Sequence, residues 1–316
     1  MDITDASAEC NAVLDGVSTA VIAERDFLES VLMGIVGQGH VLIEDVPGTG
    51  KTLTARSFAK ALGLSFSRIQ FTPDLLPSDV TGTHVFNEGD RTFEFTEGPI
   101  FANVVLADEI NRAPPKTQAA LLEAMEEKQV TVDGDTHQLP DPFFVMATQN
   151  PVEQEGTFAL PEAQVDRFAV KTSIGYPDED GEFELLKRRA ARRVQSPSVE
   201  RVLTTERVRD LQRAPENVHV DDDLLRYMVA ISRETRADPR VRIGVSPRGT
   251  QRLFEAARAR AVIVGREYVT PDDVKRIARP VLAHRVVLTP DAKISDITKA
   301  EIIEDVLESV TVPTID

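Results

Sequence analysis

The chain has 316 residues, ample for two domains, and its 41% hydrophobic and 28% charged fractions are those of a soluble globular protein. No apolar run reaches the roughly 20 residues of a membrane-spanning helix, and the opening Met1-Asp2-Ile3-Thr4-Asp5 lacks the basic start of a secretory signal. The 36 basic and 52 acidic residues leave a net charge of −16, which argues against a duplex-binding face, and a single cysteine, Cys10, excludes an intrachain disulfide.

In chain order, His40-Val41-Leu42-Ile43-Glu44 predicts a short strand between Gly39 and Pro47, and Thr52 to Leu62 predicts a helix stopped by Gly63. Phe66 to Gln70 predicts a second strand. Thr83 to Thr96 alternates Val85, Phe86, Phe93 and Phe95 around Asn87-Glu88-Gly89-Asp90, the pattern of a β-hairpin. Asn103 to Ala107 predicts a third strand. Lys116 to Glu127 is helical, with Ala119, Leu122 and Met125 at helical spacing. Gln129 to Leu139 alternates around Val132-Asp133-Gly134-Asp135, a second hairpin with a strong tight-turn signal. Phe143 to Ala147 and Phe168 to Ser173 are the fourth and fifth strands. Buried apolar strands alternating with helices imply an α/β fold, a five-stranded parallel sheet flanked by helices. Pattern alone leaves open whether the hairpins are decoration or function.

Beyond Tyr176-Pro177 the strand signal fades. Asp180 to Arg193, Asp221 to Glu234, Pro247 to Val264 and Thr270 to Ala283 read as helices, the last opened by a capping Thr270, Pro271 and two acids. The expectation is an α/β domain over residues 1–176 and a smaller all-helical domain over 177–316.

Pro47-Gly48-Thr49-Gly50-Lys51-Thr52 sits between a strand and a helix. Glycines there let backbone N–H groups turn inward onto phosphate oxygens, and the helix N-terminus adds partial positive charge. Lys51 is expected on the β- and γ-phosphates of ATP and the Thr52 hydroxyl on Mg²⁺. Asp45 stands where the usual pattern has Gly. Val104-Val105-Leu106-Ala107-Asp108-Glu109 is an apolar strand ending in two acids. Asp108 suits a Mg²⁺-organising carboxylate, and Glu109 suits the base that orients and deprotonates the attacking water. Asn150, after Thr148-Gln149, would lie beside Asp108 near the γ-phosphate. The five histidines, His40, His84, His137, His219 and His284, have no metal-ligand spacing.

Glu44-Asp45-Val46-Pro47-Gly48-Thr49-Gly50-Lys51-Thr52, Asp108-Glu109-Ile110-Asn111-Arg112-Ala113-Pro114-Pro115-Lys116-Thr117-Gln118, Ala147-Thr148-Gln149-Asn150-Pro151, Leu160-Pro161-Glu162-Ala163-Gln164-Val165-Asp166-Arg167-Phe168 and Ser246-Pro247-Arg248-Gly249 together resemble MoxR-type AAA+ ATPases from about residue 20 to 290. In that family the Glu-Asp-Val-Pro-Gly loop is typical, which accounts for Asp45 and places Asp45 and Val46 with the nucleotide-binding loop. One departure is Val21-Ile22-Ala23, at the adenine pocket wall, where the family often has Val-Gly. The resemblance implies that Asn150 is sensor 1, that Arg167 is an arginine finger reaching a neighbour's γ-phosphate, and that Arg248 is sensor 2, carried by the helical lid onto the bound nucleotide. It implies that the hairpins face a ring pore, that the ring has six subunits, and that the chain remodels client complexes with a von Willebrand factor A domain partner.

A nucleic-acid motor or clamp loader is the alternative within the superfamily, set against the acidic balance and the lack of a recognisable DNA-binding module. A non-hydrolysing scaffold is a third reading, set against the presence of Glu109, Asn150 and Arg167. With no signal peptide visible and a single cysteine, a cytoplasmic location is the expected default. The Lys-poor, acidic surface resembles that of proteins from salt-loving organisms, where salt screens self-repulsion.

Overall fold

The computed structural model describes residues 1–151, 156–194 and 197–313, so positions 195–196 and 314–316 of the expected second domain lie outside the described residues. Two helices precede the first strand. In α1 (Ile3–Ser18) Asp2 caps the Thr4 N–H, and Ile3, Ala6, Cys10, Val13, Leu14 and Val17 form the buried stripe. Burial drives the Cys10 thiol up to about 12, so it is an inert core residue. Helix α2 (Arg25–Val36) is buried over most of its length from Phe27 onward.

Strand β1 (Val41–Glu44) leads through the glycine loop into α3 (Lys51–Ala61), then β2 (Phe66–Gln70) and a short α4 (Pro77–Thr81). The hairpin β3 (Gly82–Asn87) and β4 (Thr92–Glu97) precedes β5 (Val104–Asp108), and α5 (Pro115–Glu127) follows it. The second hairpin, β6 (Gln129–Val132) and β7 (Asp135–Gln138), precedes β8 (Phe144–Gln149), and α6 (Glu162–Val165) precedes β9 (Val170–Thr172). The main sheet has the order β2-β5-β8-β1-β9, with every pairing parallel. Its side chains alternate between two cores. Val41, Ile43, Val104, Leu106, Phe144 and Met146 join a cluster with α1, α2 and α3. Leu42, Val105, Ala107, Val145 and Ala147 join a second cluster with Leu121, Leu122 and Phe168.

The remaining chain forms α7 (Glu179–Ala191), α8 (Thr205–Arg213), α9 (Asp222–Ala237), β10 (Val241–Ile243), α10 (Pro247–Ile263), α11 (Pro271–Leu282), β11 (Val287–Leu288), α12 (Pro290–Ile294) and α13 (Lys299–Ser309). The expected capping box forms at α11: Thr270 Oγ1 accepts from Asp273 N–H, and the Asp273 carboxylate accepts from Thr270 N–H. Leu253, Val262 and Ile302 of these helices belong to the same apolar cluster as α1 and α2.

Two expectations need correction. The C-terminal part is helical but also holds the antiparallel pair β10–β11, too short for any alternation to reveal. The fifth strand is shorter than residues 168–173, because the carbonyls of Asp166 and Phe168 are bound by the Arg285 guanidinium, at 3.3 and 2.7 Å.

Candidate functional site

The glycine loop lies at the carboxyl ends of the parallel strands, where open α/β sheets bind ligands. Gly48 and Gly50 have φ of +91° and +97°, which side-chain-bearing residues rarely adopt. A Cβ at either would meet nothing within 4 Å, so both backbones are open to an approaching group. Lys51 Nζ donates to the carbonyls of Asp45 and Val46, at 2.7 and 2.9 Å. Burial lowers its pKa, while Asp45, Asp108 and Glu109 raise it again. The Thr49 hydroxyl donates to the Val46 carbonyl at 3.3 Å. The hydroxyl of Thr52, in the first turn of α3, has no hydrogen-bond partner among the described residues.

Asp45 does something the loop pattern does not reveal. Its carboxylate accepts the N–H groups of Val46, Ile174 and Gly175, each at 2.8 Å, and so ties the loop's entry to the chain beyond β9. The side chain of Asp45 thus anchors the loop, while its backbone carbonyl holds Lys51. A buried carboxylate satisfied by three amides has no reason to face a triphosphate.

Asp108 ends β5 beside β8. Its Oδ1 accepts from the Thr148 hydroxyl at 2.6 Å, and the same hydroxyl oxygen accepts from Glu109 N–H at 2.9 Å. Arg68 on β2 donates to Asp108 Oδ2 with both Nη2 and Nε, at 2.7 and 3.0 Å. Gln70, two residues on and so on the same side of the strand, accepts from Arg68 at 2.6 Å and donates to Glu109 Oε2 at 2.8 Å. Arg112 Nε lies 3.3 Å from the same Glu109 oxygen. Glu109 has a left-handed backbone, φ 58° and ψ 49°, an uncommon conformation of the kind that collects at functional sites. Asn150 is buried just past β8. Arg68 and Gln70 escape sequence reasoning as site residues, whereas Thr148 enters it only as part of the polar tip expected beside Asp108. The signal for the first two is two polar residues at period 2 on a strand next to β5.

The two remaining expected residues lie at the opposite edge. Helix α5 runs back along the sheet, so its last turn sits at the amino ends of the strands. His40, just before β1, fixes it there: Nε2 donates to the Met125 carbonyl and Nδ1 accepts from Val145 N–H, both at 3.0 Å. Burial lowers the His40 pKa to about 4, so the ring is neutral. Next to Met125, Glu126 pairs through one oxygen with Arg248 Nη1, at 2.5 Å, and through the other with Arg167 Nη1. Arg167 also donates to the Leu122 carbonyl at 2.9 Å.

In this structure Arg248 therefore lies away from the glycine loop of its own chain, since α10 begins at the opposite edge of the sheet. A buried joint sets that position. Arg285, lowered to about 10 by burial, lies with Nε 2.8 Å from Asp166 Oδ1. It crosses the first turn of α10 so closely that a Cβ at Gly249 would stand 2.8 Å from its Cδ.

Strand-end acids, an open glycine loop and a free Thr52 hydroxyl fit ATP with Mg²⁺. Comparison with known proteins agrees. The profile of the ATPase family associated with various cellular activities (AAA) matches residues 40–170, and that of the AAA lid domain matches residues 233–306. The chain is 49% identical to YeaC of Bacillus subtilis, over 95% of this chain and 93% of that protein. It is 42% identical to Chaperone MoxR1 of Mycobacterium tuberculosis, over 95% and 81%. A crystal structure of a candidate ATPase from Cytophaga hutchinsonii superposes with a TM-score of 0.91 at 39% identity, over 99% of this chain and 97% of that one.

Proposed function

The chain belongs to the MoxR family of AAA+ ATPases, and from that premise we propose that it hydrolyses ATP with Mg²⁺ and uses the cycle to remodel partner protein complexes as a ring. The observation that carries hydrolysis is the joining of Asp108, Thr148 and Glu109 in one hydrogen-bonded set beside Lys51. Bound Mg²⁺ would neutralise phosphate charge, with Thr52 and Asp108 holding it. Lys51 exchanges its two backbone carbonyls for phosphate oxygens. Glu109 orients a water and takes its proton, and Asn150 supplies a polar contact beside it. Arg68 and Gln70 hold the two acids before ATP arrives. Arg68 must release Asp108 for that carboxylate to serve the metal.

Phosphate release with and without Mg²⁺ tests the reading. Turnover should vanish with a chelator, and Glu109→Gln should bind ATP yet turn over about 10²–10⁴-fold more slowly. A Glu109→Gln protein as active as wild type would overturn it.

Arg167 and Arg248, at the opposite edge of the sheet from their own glycine loop, suit a head-to-tail ring in which both reach the neighbouring subunit's triphosphate. A closed ring of six, a boundary near residue 176, a cytoplasmic location and a von Willebrand factor A domain partner belong to the same reading. The relative named a chaperone supports remodelling. A pull-down with Glu109→Gln held in ATP identifies the client, and capture of no protein complex would count against a remodelling role.

A further inference from the structure

Glu126 has no role in the reading above. It is not in the glycine loop and does not touch the strand-end acids. Yet its two oxygens each hold one of the two arginines assigned to the neighbour. Two guanidiniums brought to one spot repel each other, and long side chains left alone spread over many rotamers. A carboxylate between them removes the repulsion and fixes both directions at once.

The surroundings make that placement matter. A cavity of about 320 Å³ opens beside Glu126 and Arg167, and Glu123, Glu127 and Gln164 line it with them. Those acids repel a triphosphate, so attraction exists only where the guanidiniums point. Each arginine is also anchored from behind. Arg167 follows Asp166, which Arg285 holds, and Arg248 precedes Gly249, which packs on Arg285. The backbones of both arginines are therefore set by one buried joint, while the direction of both side-chain tips is set by Glu126.

We propose that Glu126 is a positioning residue that holds Arg167 and Arg248 as one aligned pair facing the neighbouring subunit's γ-phosphate. It touches neither ATP nor the water. It acts on the neighbour's reaction through two arginines of its own chain. The proposal rests on the trans assignment of those arginines.

Mixed rings test both and keep them apart. Glu126→Gln keeps the size but removes the charge, so one arginine loses its acceptor and the pair opens. Turnover of assembled Glu126→Gln rings should fall about ten- to a hundredfold, while ATP affinity by calorimetry stays unchanged. Glu126→Asp should fall between Gln and wild type, because it keeps the charge on a shorter arm. Glu126→Gln subunits mixed with Glu109→Gln subunits should regain activity at interfaces where an intact Glu109 site faces an intact arginine pair. Mixed with Arg167→Ala they should not, since both defects lie on the same side of the interface. The control is Arg167→Ala mixed with Glu109→Gln. No recovery there overturns the trans assignment itself. Recovery there, with wild-type turnover in Glu126→Gln, overturns the role of Glu126 alone. So does a Glu126→Gln defect that Glu109→Gln subunits fail to rescue, which would mean damage inside its own subunit. Should Glu126→Gln fail to assemble, Glu126→Asp carries the same mixing test with the same outcomes.

Discussion

The two edges of the central sheet are built on opposite plans. At the carboxyl edge the groups proposed to hold a triphosphate and prepare a water come from one chain, and Arg68, Gln70, Thr148 and Arg112 already surround Asp108 and Glu109. At the amino edge two arginines sit on a carboxylate next to an open cavity, with no phosphate-binding loop of their own. On the proposed reading the first edge is the nucleotide site, and the second serves the first edge of a neighbouring chain. A chain whose halves fit each other but not themselves is suited to close into a ring.

The largest expected effect tests that division. Arg167→Ala should slow turnover of assembled rings by about 10³-fold or more. Arg248→Ala should behave as its companion, rescued in mixtures by Glu109→Gln and not by Arg167→Ala. If Arg248→Ala instead fails to be rescued by Glu109→Gln, the amino edge holds one trans arginine and the lid closes onto its own subunit.

The next effect is confined to the carboxyl edge. Lys51→Ala removes a charged donor from the triphosphate, at about 1.5–3 kcal/mol for such a hydrogen bond, so ATP should bind about 10- to 100-fold more weakly by calorimetry. Its arginine pair stays intact, so it should still rescue Arg167→Ala in mixed rings no worse than Glu109→Gln does. Failure to do so would mean that the two edges are coupled within one chain.

A smaller effect probes the joint between the edges. His40 bridges the end of α5 and β8 as a neutral ring, with a folded pKa of about 4 against an ordinary value near 6.5. Burial and Arg285 also push His284 well down. Between those values the unfolded chain takes up protons that the folded chain refuses. For His40, stability is therefore full above about pH 6.5 and falls as pH falls toward 4, by at most about 1.4 kcal/mol per pH unit, and His284 acts in the same direction. Urea midpoints at pH 7 and 5, taken in molar KCl to screen the acidic surface, should fall on acidification. His40→Gln should flatten the dependence, and an unchanged slope would remove His40 from the joint.

The smallest effect is global. At net −16 the folded surface repels itself, and the screening length shrinks from about 10 Å at 0.1 M salt to about 3 Å at 1 M. Melting temperatures should rise steadily across that range. A flat or falling trend would show that the acidic surface carries no such strain.

Much of the carboxyl edge was legible in the chain because its parts are local. A glycine loop between a strand and a helix, and an apolar strand ending in two acids, carry their geometry in consecutive residues. All five main strands and both hairpins follow from apolar alternation and turn residues, within a few residues of their ends. α1 carries the same kind of signal, in the spacing of Ile3, Ala6, Cys10, Val13, Leu14 and Val17, yet it contributes no chemistry that would draw attention to it.

What stayed hidden was every contact across strands or between distant segments. Arg68 and Gln70 look like ordinary strand residues until β2 is paired with β5. Asp45 looks like a phosphate-loop residue until its carboxylate meets the amides of Ile174 and Gly175, far along the chain. Sequence determined the candidate residues and that they lie at strand ends and in the glycine loop, because backbone periodicity and loop geometry are set by neighbours in the chain. Tertiary structure alone decided which end each arginine occupies. That choice depends on how α10 packs through Gly249 and Arg285, and no spacing along the chain records the direction in which one helix meets a sheet.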